Sequence, residues 1–276
     1  MIENRLNHKN TYRTQKNTKQ TEFCDFCVFC GKIIASGRTC VGVAVVTGIM
    51  LLASVAHAAV GCTLSNPAQD LKYLFPEMTT YKEDVKGLDQ MKDGRDLFGK
   101  LKERLGSDLD PVYETYETPY TVYTIFKGEQ VLGYVHGVNV PGEGGVIQIF
   151  LSADPKTGAI IRLFFQRIES TVAKLLKKKD FLAQFAGLTL GDFYKHDYFS
   201  VTEPASVNDR VGKITSPIPA GQADNDYRAT LRGVLKNLIL LDLFVYNEQN
   251  EPFYKKAREA LAEKGKQVAG KKEEKK

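Results

Sequence analysis

The sequence has no tryptophan, and none of its five cysteines lies beyond residue 62. A main body without cysteine cannot be a disulfide-stapled scaffold, even in a compartment that permits disulfides. Glycine without a three-residue period excludes a collagen-like chain, and 43% hydrophobic residues over 276 positions exclude a disordered one. The familiar catalytic signatures are missing too. There is no H-E-x-x-H, no G-x-S-x-G, no P-loop, and no G-x-G-x-x-G opening a helix after a strand. The body holds two histidines, His136 within a strand pattern and His196 in a tyrosine-rich stretch, and such isolated histidines read as hydrogen-bonded structure. No repeat of 20 to 50 residues is present, only the local echo YETYETPY. Nothing here supports a hydrolase or a nucleotidyl enzyme.

The formal net charge is +5, but its distribution removes the case for a nucleic-acid partner. Residues 1–62 carry a balance of +4, and the tail from Lys264 to Lys276 carries another +4. The body between them sums to about −3.

Charge is also absent between Arg38 and Asp70. The stretch from Thr39 to Cys62 holds about 20 apolar positions, enough at ~1.5 Å per residue to span a bilayer core of ~30 Å. Lys32 and Arg38 lie on its N-terminal side, which predicts a cytoplasmic N-terminus and a body exported to the extracytoplasmic or periplasmic side. Three fates compete. Ala56-His57-Ala58 is a small-residue cleavage pattern for a signal peptide, whereas Ala59-Val60-Gly61-Cys62 is an imperfect lipobox that makes Cys62 a lipidation site. The third fate is an uncleaved transmembrane anchor. Retention at the membrane, by lipid or by helix, is the expectation. Further upstream, Cys24, Cys27 and Cys30 form C-x2-C-x2-C, which resembles the opening of a bacterial ferredoxin motif. A fourth thiolate at the proper spacing is lacking, since Cys40 lies ten residues on, so no metal site is expected.

Periodicity sorts the body into helices and strands. Leu71, Leu74 and Phe75 mark a short helix ended by Pro76, and Leu97, Phe98, Leu101 and Leu105 mark another over 94–105. Alternating Thr, Tyr and Val over 112–126, a turn at KGEQ and the run VLGYVHGVNV predict a hairpin. After the loop PGEGG, VIQIFLSAD and AIIRLFFQRIES form a second antiparallel pair about the turn PKTG. A helix is expected over 171–190 with Lys177, Lys178 and Lys179 outward, then a proline-containing linker and a strongly apolar helix over 227–246. Pro252 is expected to separate this from a last amphipathic helix ending near Glu263. The predicted fold is therefore α+β, a twisted antiparallel sheet flanked by helices, preceded by an export or anchor segment. Its predicted divisions are a leader and anchor over 1–62, one domain over 63–246, and a helical extension with a Lys-rich tail over 247–276.

Three stretches together carry a family resemblance: AQDLKYLFPEMTTYKE, then GEQVLGYVHGV, then PGEGGVIQIFLSADPKTGAIIRLFFQRIEST running on to FLAQFAGLTL. Over about 180 residues their order resembles the FMN-binding domain family, found in the Rnf complex and in the sodium-translocating NADH:quinone reductase. The resemblance implies FMN as cofactor and electron transfer as role, with membrane and redox proteins as partners. It also implies that the FMN phosphate is esterified to the Thr of a D-x-x-[ST]-G-A-T motif. The matching stretch here runs from Asp224 to Thr230, where Asp224, Ala229 and Thr230 agree and Tyr227 and Arg228 replace Ser/Thr and Gly. Arg228 disfavours the backbone freedom that Gly supplies, yet its guanidinium can pair with a phosphate held without a covalent bond. Gly144 and Gly145, with Gly142, can let backbone approach a phosphate or ring, and Glu169 and Ser170 occupy the place of the family's cofactor-contacting E-T. The competing expectation is a cell-envelope binding or structural module that kept the fold without the cofactor.

Overall fold

The computed structural model describes residues 62–196, 209–220, 222 and 224–273, with side chains in the last helix described to residue 263. The leader cysteines and the apolar stretch before Cys62 lie outside the described residues. Among those described, no helix is long and apolar enough to cross a membrane, and no group of three or more His, Cys, Asp or Glu could hold a metal ion.

The fold is α+β. The first helix, α1 (Pro67–Leu74), starts where the Asn66 side chain accepts the Gln69 N–H at 3.4 Å and Pro67 pre-sets the first turn. It is followed by β1 (Thr80–Gly87), which periodicity does not reveal because TYKEDVKG is charged and largely exposed. This is an edge strand, and its charges guard the open edge against pairing with other chains. Helix α2 (Gly94–Leu105) buries Leu97, Leu101 and Leu105 on one face and stops at Gly106, whose φ is 54°.

Among the described residues the remaining strands are β2 (Pro119–Lys127), β3 (Gln130–Pro141), β4 (Val146–Ala153) and β5 (Ile160–Ile168). All five form one antiparallel sheet in the order β1-β2-β3-β4-β5. Residues 112–118, expected as strand, form turns instead, with the Asp110 carboxylate accepting the Val112 and Tyr113 N–H groups at 2.9 and 3.1 Å. The helix expected over 171–190 is two short ones, α3 (Ala173–Leu176) and α4 (Lys179–Ala183), followed by α5 (Leu190–Lys195), which starts where the expected helix was to end. Lys178 breaks the run with an extended backbone, Gly187 turns it at φ 75°, and Thr189 restarts it with a capping box to Asp192.

Helix α6 (Asn225–Phe244) is apolar nearly all round because it is buried nearly all round, against β3 and β4, α2 and α5. It approaches the sheet closely at Gly233, where a Cβ would lie 2.6 Å from Ile149. Helix α7 (Glu251–Glu273) extends past the predicted end near Glu263, and Pro252 sits inside its first turn, where proline is tolerated, rather than ahead of it. The main core lies between α6 and one sheet face, through Val138, Val140, Ile147, Ile149 and Leu151. A second cluster lies on the other face, where Leu64, Leu71, Leu74 and Phe75 cover Tyr123, Val135 and Phe150.

Candidate functional site

The sheet is split at one end. The β2–β3 ladder stops at Val122↔His136, yet β1 stays paired with β2 to Gly87↔Pro119, and β3 with β4 to Pro141↔Val146. Between Pro119–Thr121 on one side and Gly137–Pro141 on the other a cleft opens, a cavity of about 370 Å³. Tyr113, Thr118, Tyr120, Gln148, Arg167 and Lys236 are among its lining residues, and Cys62 is another. The hydroxyl of Tyr120 is buried in this wall and has no hydrogen-bond partner among the described residues. Burial, with Glu114 nearby, pushes its pKa well above the usual phenol range, so it stays a neutral donor.

Lys236, in the apolar run of α6, is 2% exposed. Its ammonium donates to Glu114 at 2.5 Å and to the backbone carbonyl of Asp108 at 2.9 Å, which ties the 108–114 loop to the helix. One residue on, Asn237 donates to the Ile149 carbonyl at 3.1 Å and faces His136 Nδ1 at 2.7 Å. With the amide nitrogen so engaged, the His136 Nδ1–H donates to the Asn237 Oδ1. Burial, seconded by the charge on Lys236, lowers the His136 pKa from 6.5 to about 4.

A second, shallower cavity of about 510 Å³ shares Ser107, Pro141 and Arg232 with the first. Arg228 and Ala229 line it, at the start of α6. Both arginines are engaged: Arg228 Nε donates to Asp224 at 3.0 Å, and Arg232 Nε to Asp108 at 2.8 Å. The helix cap, Asp224, accepts no backbone N–H of the first turn on its side chain.

The sequence-predicted residues fall into two groups. Gly144, Gly145, Glu169 and Ser170 come together where the β3–β4 loop meets the end of β5. A Cβ on Gly144 would lie 2.4 Å from the Glu169 carbonyl, and one on Gly145 2.2 Å from its carboxylate. These glycines are therefore required by packing of the loop on Glu169. Glu169 also accepts from Arg167 Nε at 2.8 Å, and the Ser170 hydroxyl accepts from the Val172 N–H at 3.1 Å. The loop reaches the other group through the Glu143 N–H, which donates to Asp226 at 2.7 Å.

Asp224, Arg228, Ala229 and Thr230 form that second group. The helix begins at Asn225, two residues ahead of the expected start at 227, so Thr230 lies beyond the first turn and its free N–H groups. Its hydroxyl is fully buried and donates to the Asp226 carbonyl at 2.8 Å. Tyr227 holds the start of the helix from beneath, donating to the Ile214 carbonyl at 2.9 Å. Cys62, the first described residue, is buried in the second core cluster at the cleft. Thioether lipidation there requires its sulfur to leave that packing.

Residues that sequence reasoning missed are Tyr120, Lys236, Glu114, Arg232 and Arg167. A signal existed for one of them: a lysine followed by an asparagine inside LKNLILLDL is a buried polar pair that needs a partner.

No family model matches the chain, and no curated protein matches it. Among solved structures it is similar to the crystal structure of Shewanella oneidensis NqrC, at 13% identity and a TM-score of 0.37, over 71% of this chain and 90% of that one. A likeness of that size does not establish a family.

Proposed function

We propose that this chain is an exported, membrane-attached electron-transfer module that holds FMN without a covalent bond, in the cleft between the arginine-lined mouth and Tyr120. The observation that carries the reading is the unpartnered Tyr120 hydroxyl inside a split sheet end whose cavity is lined by Arg232 and adjoins a second cavity lined by Arg228 and Arg232. A planar polar ring suits a slot between strands that offers both apolar walls and an unused donor. At the mouth, the guanidinium groups of Arg228 and Arg232 exchange an aspartate for a phosphate dianion, which offers more acceptor oxygens. FMN supplies the redox chemistry when bound, and the chain binds, orients and screens it. The sealed Thr230 hydroxyl counts against esterification.

The cofactor-less module is the second reading. It is favoured by Thr230, Gly144 and Gly145, whose family roles are taken over by packing within the chain. Titration of the purified protein with FMN, followed by flavin fluorescence and dialysis, separates the two. Binding is expected with one FMN retained per chain. Arg232→Ala should weaken it about tenfold or more, the scale of one hydrogen bond to a charged group. Thr230→Ala should leave it unchanged, and FMN should be released by denaturation, as it would not be from an ester. Colourless protein that retains no FMN selects the cofactor-less module instead.

A further inference from the structure

The two ends of the sheet differ in what they expose. At the split end, Val112 is 70% exposed, Tyr113 43% and Val146 42%. Tyr113 and Val146 line the cleft, and Val112 adjoins Tyr113 between lining residues. The opposite end is made of the Lys127–Gln130 hairpin turn and the Asp154–Gly158 turn, both polar. Cys62 lines the same cleft, and it directly follows the uncharged apolar stretch that begins at Thr39. The other exposed large apolar side chains, Tyr73, Val85, Phe253 and Leu261, are spread singly over α1, β1 and α7, whereas Val112, Tyr113 and Val146 gather at the cleft that Cys62 lines.

We propose that the split end of the sheet rests on the bilayer surface, with Val112, Tyr113 and Val146 inserted at the lipid–water interface around the mouth of the cleft. The inference rests on the membrane attachment proposed above, and it is independent of FMN. In the sequence Cys62 directly follows the apolar stretch, so a retained anchor leaves Cys62 within a few residues of the headgroups. Exposed apolar side chains in that position exchange water for the acyl boundary, and the ring of Tyr113 combines an apolar body with a polar tip suited to the interface. The polar turns then face away, about 25 Å off at ~3.3 Å per residue along β4.

The absence of tryptophan makes the test direct. Full-chain protein carrying a single reporter, Val112→Trp, Tyr113→Trp or Val146→Trp, is reconstituted into vesicles containing brominated phosphatidylcholine. A control carries Glu129→Trp in the far turn. The three rim reporters should shift to shorter wavelength and lose fluorescence on bromination, and the control should do neither. Rim reporters quenched no more than the control would overturn the proposal while leaving the anchor intact. Protein that fails to float with the vesicles would overturn the proposal and the anchor together, whatever its FMN content.

Discussion

Arg104→Ala is expected to cost about 3–5 kcal/mol of folding stability, the scale for removing one partner of a buried ion pair. The Arg104 side chain is 1% exposed and pairs at 2.9 Å with Asp242, also 1% exposed. It further bonds Glu248 at 3.0 Å and contacts Glu251, so one guanidinium joins α2 to α6 and to the start of α7. Its truncation leaves Asp242 charged in the interior, with the Asn250 backbone and amide, at 3.2 and 2.9 Å, as its remaining donors. An unpaired buried charge, rather than the lost contact itself, supplies most of the loss. Urea unfolding of the single variant against Arg104→Met/Asp242→Asn checks this, because the double variant removes both charges and should recover a good part of the stability. A loss below about 1 kcal/mol for Arg104→Ala, the level of an exposed pair, would mean that water reaches Asp242. The start of α7 should loosen first, since Tyr254 packs on Tyr194 at 5.5 Å and on the Arg104 guanidinium at 5.2 Å.

Much of this architecture is legible in the sequence where burial imposes a period. The strands β3, β4 and β5 announce themselves by apolar runs bounded by KGEQ, PGEGG and PKTG, and α6 by its length and composition. Strand β1 is not legible, because an edge strand exposed on both faces owes its structure to its neighbour's hydrogen bonds and shows no pattern of its own. The site was harder for a different reason. The letters of the attachment motif fix residue order, but whether Thr230 meets solvent depends on where the helix begins. Here Asn225 and Asp226 are drawn into the first turn, with Tyr227 pinned to Ile214 and Asp226 to Glu143. The cleft itself exists because one ladder ends at Val122↔His136 while its neighbours continue, a fact of register that no local pattern encodes.

His136 should make the domain acid-sensitive between pH 6.5 and about 4. The folded state holds the imidazole neutral by burial, while in the unfolded chain it titrates near 6.5, so between those values the unfolded state binds more protons and stability falls as pH falls. Above pH 6.5 the contribution is flat, and below about 4 it is flat again, with a total loss of about 3 kcal/mol across the window. Carboxylates also titrate toward the lower end. The measurement is therefore a difference: unfolding free energies of the native sequence and of His136→Gln across this range. The variant loses stability at pH 7 because Asn237 forfeits its partner, but the gap between the two proteins should close as the pH is lowered. A gap that stays constant would mean that the folded state accepts the proton without cost. The consequence reaches the cleft, since His136 closes the last β2–β3 pair before the split and Asn237 follows Lys236 on α6. A proton taken up by the folded state near pH 4 therefore acts on the ladder at the point where it already ends, so, if the proposed cofactor binds in the cleft, its affinity should fall toward that pH.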